Sequence, residues 1–386
     1  MVPIKYNLRS LMARKVGSLM TIFGTGMVVW ASIFAFGLYG GLEKALTTSV
    51  SPLDVLILRQ GSSSETASAV TEASAKQILS FPGIATDSNG DPLAAPELVV
   101  ISYLPRLDAT GNTNVTIRGV LPNSRLLRDN FQIVEGRDFT RGLRETIVSR
   151  ALSERFQKLK LGDEFIVQDK AFKIVGYFEA GGGTSESEIW TDLPVLSQVA
   201  NRTGATSSVQ LRAVSTEAQQ KLIDRITADE QIALKAITEE QYYADQAEQS
   251  FFIKMIGQII AFFLTLGAMF AVANTMYGAI SSRAREIGTL RALGFGRFSI
   301  LTAFLFESLV LCILGALLGI LGALMLGEIR TGTMGGTFTE LVFSFNFGPD
   351  VLLKGAILAI VMGLIGGFAP ALRAVRMKVV DALRET

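Results

Sequence analysis

Four apolar windows in a one-plus-three arrangement constrain this chain more than any other feature. The first is free of charge between Lys15 and Glu43. The others cover 255–282, 298–326, interrupted only by Glu307, and 355–372. Each is long enough, at about 1.5 Å per helical residue, to cross or nearly cross a hydrocarbon layer of about 30 Å. Residues 43–250, between the first window and the second, are polar. The chain thus reads as four transmembrane helices with a large domain inserted between helices 1 and 2. The first window is longer than a signal-peptide core and is read as an uncleaved anchor.

Charge sets the expected orientation. The insert 43–250 carries 21 basic and 28 acidic residues, a net of −7, whereas the remainder carries 15 and 7, a net of +8. Lys5, Arg9, Arg14 and Lys15 precede the first span; Arg283, Arg285, Arg291 and Arg297 fill the link between the second and third; Arg373, Arg376, Lys378 and Arg384 follow the fourth. The link between the third and fourth is mixed, with Glu328, Arg330, Glu340 and Asp350. Basic segments stay in the cytoplasm, so both termini are expected there and the insert on the opposite side. The basic residues flank apolar spans and form no nucleic-acid patch. Tyr6, Leu8, Leu11 and Met12, set among the first basic residues, fit a short amphipathic helix on the cytoplasmic face or simply a topology signal.

Chemistry is excluded more than it is suggested. The chain has no histidine and one cysteine, Cys312, which lies inside an apolar window. The commonest general base and metal ligand are therefore missing. No phosphate-binding loop is present: Gly181-Gly182-Gly183 lacks a following Lys-Ser/Thr and reads as a flexible turn. The insert reads as α+β, with strands at 98–104, 115–120, 165–167, 172–178 and 209–214, and helices at 151–159, 193–200 and 217–228. Thr216 with Gln219, and Thr238 with Gln241, have capping-box spacing. A helix running from Glu239 through the membrane boundary would make a rigid stalk. The Ser/Thr/Ala-rich stretch 61–74 reads as a mobile loop or a weak helix start.

The segment Arg283-Ala-Arg285-Glu286-Ile287-Gly288-Thr-Leu290-Arg291-Ala-Leu293-Gly294 is the densest signal. It reads as a short helix with Ile287, Leu290 and Leu293 on one face, ended by Gly294, or equally, on periodicity alone, as a solvated positive loop. Glu307 lies about 14 Å along its span; an intramembrane carboxylate is costly, and it reads either as paired with a nearby cytoplasmic arginine such as Arg297 or as a group that handles protons or substrate. Trp30, near the middle of the first span, reads as a packing residue at a dimer seam. Gly315 and Gly319 have the spacing of close helix packing.

Together with Ala273-Asn274-Thr275-Met276, this segment resembles the second span and cytoplasmic coupling helix of the FtsX/MacB-like family of ABC-transporter permeases. Glu307 with Gly315 and Gly319 resembles the family's third span. Pro370-Ala-Leu-Arg373-Ala374 and Asp381-Ala382-Leu383-Arg384 resemble its C-terminal signature, except that Val379 stands where proline is usual. In the insert, Arg118-Gly119-Val120, Glu135-Gly136-Arg137-Asp138-Phe139, Leu161-Gly162-Asp163 and Val175-Gly176 resemble a MacB-like periplasmic core. The match covers nearly the whole chain.

The resemblance implies three parts. These are a cytoplasmic N-terminus with the first helix at 1–42, an extracytoplasmic domain with its stalk at 43–250, and spans two to four at 251–386 with a coupling helix near 283–297. It implies a non-catalytic subunit of the bacterial inner membrane, paired with a second permease chain as a homo- or heterodimer. Separate ABC ATPase subunits would bind ATP and Mg, and this chain would bind no cofactor. A periplasmic adaptor or membrane-fusion protein is a further expected partner, and a lipid or other amphiphile the expected substrate. Export or extraction driven by movement of the domain is the leading expectation. An FtsX-like transmitter that activates a wall hydrolase, a lipoprotein-releasing permease and, least favoured, a membrane enzyme are the alternatives.

Overall fold

The computed structural model describes residues 15–48, 50–107, 111–249, 251–325, 330–334, 339–345 and 347–377. The amphipathic N-terminal segment and the terminal Ala382, Leu383 and Arg384 lie outside them. The chain divides into two compact units: a membrane unit (1–41, 252–329 and 345–386) and a domain (42–251 with 330–344).

Among the described residues, four helices are long and apolar enough to span a membrane. They are α1 (Lys15–Thr47), α8 (Phe251–Ser281), α10 (Arg297–Met325) and α11 (Pro349–Arg376). Helix α9 (Ala284–Ala292) joins the second span to the third. Glycines let the spans meet backbone to backbone. A Cβ built on Gly319 would stand 2.6 Å from the carbonyl oxygen of Gly26, and one on Gly315 2.9 Å from that of Ile22. Both contacts join α1 to α10, as the glycine spacing predicts. Val29, Ile33, Val272, Met276, Leu311 and Met362 fill the shared core. The Ser308 hydroxyl donates to the Gly363 carbonyl at 2.8 Å, tying α10 to α11. Large apolar side chains on the outer faces, including Phe262, Phe263 and Phe270 of α8, are exposed, as lipid-facing surfaces require.

The domain is built on a ten-stranded sheet in the order β12-β1-β11-β3-β4-β9-β6-β8-β5, with β7 also paired to β8. The strands are β1 (Asp54–Arg59), β3 (Ala94–Pro105), β4 (Asn112–Val120), β5 (Gln132–Gly136), β6 (Glu145–Ser149), β7 (Glu164–Val167), β8 (Lys170–Glu179), β9 (Glu188–Asp192), β11 (Ser208–Arg212) and β12 (Leu234–Thr238). The short β2 (Val70–Thr71) and β10 (Ala205–Thr206) pair separately. Strand β3 unites two lobes: residues 94–97 pair with β11, whereas 98–105 pair with β4. Each lobe buries its own core, one around Ile57, Ile78, Leu211 and Ile226, the other around Leu98, Ile117, Phe156, Phe172 and Leu196. Helices α2 (Glu72–Leu79), α5 (Leu193–Val199) and α6 (Thr216–Ala228) cover the sheet, with one-turn helices α3 (Pro122–Leu126) and α4 (Arg150–Ser153).

The structure corrects several local expectations. The helix expected at 151–159 is the single turn α4; Lys158 has φ +58°, which ends any regular helix there, while Phe156 and Leu159 enter the core from irregular backbone. Of the two readings of 61–74 the helix start is the one found: a 3-10 turn at Glu65–Ala67 is followed by α2 from Glu72. The cap of α6 is Ser215, whose hydroxyl accepts from the Ala218 amide, and not Thr216. Thr238 does cap α7 (Glu239–Gln249), accepting from the Gln241 amide at 3.1 Å. Residue 250, between α7 and α8, lies outside the described residues, so the proposed unbroken stalk is described on either side of it only.

The link after the third span also departs from expectation. The link between the third and fourth spans forms a hairpin, β13 (Arg330–Met334) with β14 (Glu340–Ser344), that belongs to the domain. Val342 is buried in the second lobe's core, and its amide donates to the Ser187 hydroxyl at 2.7 Å.

Candidate functional site

Helix α9 is rooted on one side and open on the other. Ile287 is 2% exposed and belongs to the membrane unit's core, and Gly288 is buried beside it. Arg285, Glu286 and Thr289 are exposed, Leu290 and Arg291 half-buried, and Leu293 is 73% exposed. The expected single apolar face of Ile287, Leu290 and Leu293 is therefore split. Three and six positions of a 3.6-residue helix drift apart by about 60° and 120°, enough to turn Leu293 outward while Ile287 points in. Leu293 and Phe298 are exposed apolar residues near the end of α9; the latter is the second residue of α10 and was not singled out from sequence. Gly294, at φ +94°, ends the helix as expected, its amide donating to the Arg291 carbonyl.

Two arginines anchor this helix. Arg283 Nη1 donates to Glu307 Oε2 of α10 at 3.1 Å, and its Nε donates to Glu286 Oε2 of α9 at 3.1 Å. The partner of Glu307 is thus Arg283 and not the expected Arg297. Arg297 opens α10 itself, ten residues before Glu307, whereas Arg283 comes in from the end of the neighbouring span. Arg291 Nη1 donates to the carbonyl oxygens of Val375, at 3.3 Å, and of Met377, at the end of α11.

The remaining expected residues fall at defined places. Asn274 and Glu307 line one cavity of about 350 Å³, together with Gly17, Ser18 and Thr275. The Thr21 hydroxyl donates to that of Thr275 at 2.9 Å, joining α1 to α8. Trp30 stacks on Phe34 with centroids 5.9 Å apart and lies against Gly322 of α10. Pro370 is buried inside α11, and the Arg373 guanidinium lies over the Tyr277 ring at 5.6 Å.

Sequence reasoning missed the most heavily charged site in the domain. Where β3 passes from one lobe to the other, Arg118 of β4 donates to Glu65, Glu97 and Glu188 at 2.7–2.9 Å. Arg128 donates to both oxygens of Glu97, the Ser208 hydroxyl to Glu65, and the Trp190 indole N–H to Glu188. Burial pushes the Glu65 and Glu97 carboxyls upward, yet the two arginines outweigh it and hold both below the ordinary carboxylate range. The one available signal was the Arg118-Gly119-Val120 stretch, which says nothing of partners distant in sequence. Among the described residues, no group of three or more acidic, histidine or cysteine side chains is placed to hold a metal ion.

Helix α7 docks beside this cluster. The Tyr242 hydroxyl accepts from the Glu65 amide, and that of Tyr243 accepts from Thr184. Glu239 accepts from the Gln210 amide group and, at 3.4 Å, from the Ser51 amide. Burial, together with the nearby Asp54, raises its carboxyl to about 8. The folded domain therefore holds a proton that the unfolded chain gives up above pH 4.5, and stability falls as pH rises from about 4.5 to 8. Glu239→Gln is expected to melt within about 2 °C of the parent at pH 5 and roughly 10 °C above it at pH 9, measured by thermal unfolding across that range.

The fold and this rooted helix define a class: a multi-span permease with a domain inserted after its first span. The comparisons give the family. Residues 18–229, more than half of the chain, match the MacB-like periplasmic core domain, and 258–379 match the FtsX-like permease C-terminal family. The chain belongs to the ABC transporter permeases of the MacB/FtsX type, with an extracytoplasmic domain and no ATPase domain in the sequence. Among its relatives, the uncharacterized ABC transporter permease YknZ of Bacillus subtilis (strain 168) is 25% identical over 99% of this chain and 98% of its own. The pyoverdine export ATP-binding/permease protein PvdT of Pseudomonas fluorescens (strain Pf0-1) is 26% identical over 66% of this chain. The macrolide export ATP-binding/permease protein MacB of Nitrosomonas europaea is 25% identical over 58%. The chain covers only 40% of PvdT and 34% of that MacB. The solved extracellular domain of YknZ aligns over 48% of this chain and 99% of that one, at 16% identity and a TM-score of 0.35.

Proposed function

We propose that this chain is the non-catalytic membrane subunit of an ABC transporter. A separate cytoplasmic ATPase, binding ATP and Mg, drives movements of its extracytoplasmic domain that export or extract a hydrophobic or amphiphilic substrate. The carrying observation is the two-sided α9: Ile287 and Arg283 root it among the spans, while Arg285, Glu286 and Leu293 face outward. A helix fixed on one side and exposed on the other suits receiving a push from a soluble partner. Its basic flanks favour a cytoplasmic position for this helix and for both termini, and a bacterial inner membrane is the location that goes with this reading. A second permease chain completes the complex, and an adaptor is the expected extracytoplasmic partner. Two of the relatives are named for export, of pyoverdine and of macrolides, which favours transport over activation of a wall hydrolase.

Replacing Glu286 and Leu290 together with alanine is expected to lower stimulation of the partner ATPase at least about tenfold, equivalent to about 1.4 kcal/mol, with membrane insertion unchanged. Unchanged stimulation in reconstituted membranes would remove the assignment. What co-purifies with the complex separates the functional readings: an adaptor or a bound amphiphile supports export, a peptidoglycan hydrolase supports signalling.

A further inference from the structure

Arg283 occupies the N-cap of α9, where Ser, Thr, Asp or Asn is the usual choice, and its side chain makes no capping bond. It is 8% exposed, and its planar fork reaches two carboxylates on different helices, Glu286 of α9 and Glu307 of α10. Glu307 is 2% exposed in the middle of an apolar span, where an ionised group persists only with a partner. The Arg283 guanidinium also lies over the Phe304 ring, 5.5 Å from its centroid and one turn before Glu307.

The chain path from α9 into α10 is compliant by comparison. It runs through Leu293-Gly294-Phe295-Gly296, with Gly294 at φ +94° and open space around the Cβ positions of both glycines. A push on α9 delivered through that connection alone would bend it.

We propose that Arg283 and Glu307 form a clasp that fixes α9 to the third span, so that load applied to α9 enters α10 through this ion pair. This deepens the coupling reading above and rests on it. Arg283 is then a positioning residue: it places the exposed docking face without belonging to it. Arg291, bonded to carbonyls at the end of α11, holds the other end of the same helix. The helix and the last two spans move as one body.

The test is a distance measurement between spin labels at Thr289→Cys and Leu317→Cys, both exposed positions, in the full-length protein with and without its ATPase, ATP and Mg. The native Cys312 is buried and is replaced by alanine for the labelling. The parent is expected to give one narrow distribution that nucleotide leaves unchanged. Glu307→Gln should widen it at least twofold, and the exchange R283E/E307R should narrow it again, a rescue that lost packing alone would not produce. A Glu307→Gln distribution as narrow as the parent's, or an exchange variant as wide as Glu307→Gln, overturns the clasp. Leu293→Asp tests the docking reading separately. If ATPase binding survives it while the distances behave as stated, the docking face is wrong and the clasp stands.

Discussion

Arg118→Met is expected to destabilise the extracytoplasmic domain strongly enough to unfold it under conditions where the parent stays folded. The substitution leaves Glu65, Glu97 and Glu188 buried, with Arg128 the sole remaining arginine of the cluster. Removing one partner of a buried ion network costs about 3–5 kcal/mol, a large share of the 5–15 kcal/mol that ordinarily holds a domain. Trp190 reports the event directly, because its indole N–H donates to Glu188 at 2.7 Å and its ring stacks on Phe131 at 4.9 Å. In a Trp30→Phe background it is the sole tryptophan, and its emission should shift to the red in Arg118→Met under conditions where the parent is folded. Adding Glu65→Gln and Glu188→Gln to Arg118→Met should recover part of the loss, since the uncompensated charges are then gone. An Arg118→Met protein with parental emission and melting would show that the cluster contributes little.

The second large effect is expected in the membrane. Gly319→Leu drives a side chain into the backbone of α1, where the Gly26 carbonyl oxygen is 2.6 Å from the first added carbon and the Trp30 amide nitrogen 3.0 Å. Backbone cannot rotate away as a side-chain tip can, so the two helices must separate, at a cost of about 3 kcal/mol or more. Gly257→Leu on α8, with open space around its Cβ position, is the matched control. Thermal aggregation of the detergent-solubilised variants should place Gly319→Leu at least about 6 °C below the parent, taking about 2–4 °C per kcal/mol for a domain of roughly 150–250 residues, and Gly257→Leu beside the parent.

These two sites differ in how far the sequence discloses them. Gly315 and Gly319 lie four residues apart on one helix, so their shared face follows from the helical period alone. The same holds for the four spans, for Gly294 as a helix stop and for Thr238 as a cap, all decided within a turn or two of chain. The Arg118 cluster joins residues from 65, 97, 128, 188 and 208, and only the sheet order brings them together. Glu307 stands between these cases. Its need for a cation is plain from its apolar surroundings, but the choice of Arg283 over Arg297 depends on how α8, α9 and α10 pack. Strands β1, β5, β6, β9 and β12 escaped notice for a related reason. Strand β9, Glu-Ile-Trp-Thr-Asp, is buried along its whole length yet carries two acids that find partners only in the folded sheet. Position 342 reads as one apolar residue in a mixed link; its place in the domain's core depends on a hairpin whose partner, Ser187, was made long before it.

That hairpin has a consequence for how the protein is built. The second lobe's core includes Val342, yet the chain emerges from the ribosome in order, and β14 follows two further membrane spans after the rest of the domain is complete. Until the third span is inserted and the link behind it has been moved to the domain's side, the lobe lacks one of its own apolar residues and the donor for Ser187. Completion of the domain is therefore a late event that reports on completion of the membrane part. A chain stalled after the second span would leave the Ser187 hydroxyl without the Val342 amide and the lobe's core without the Val342 side chain.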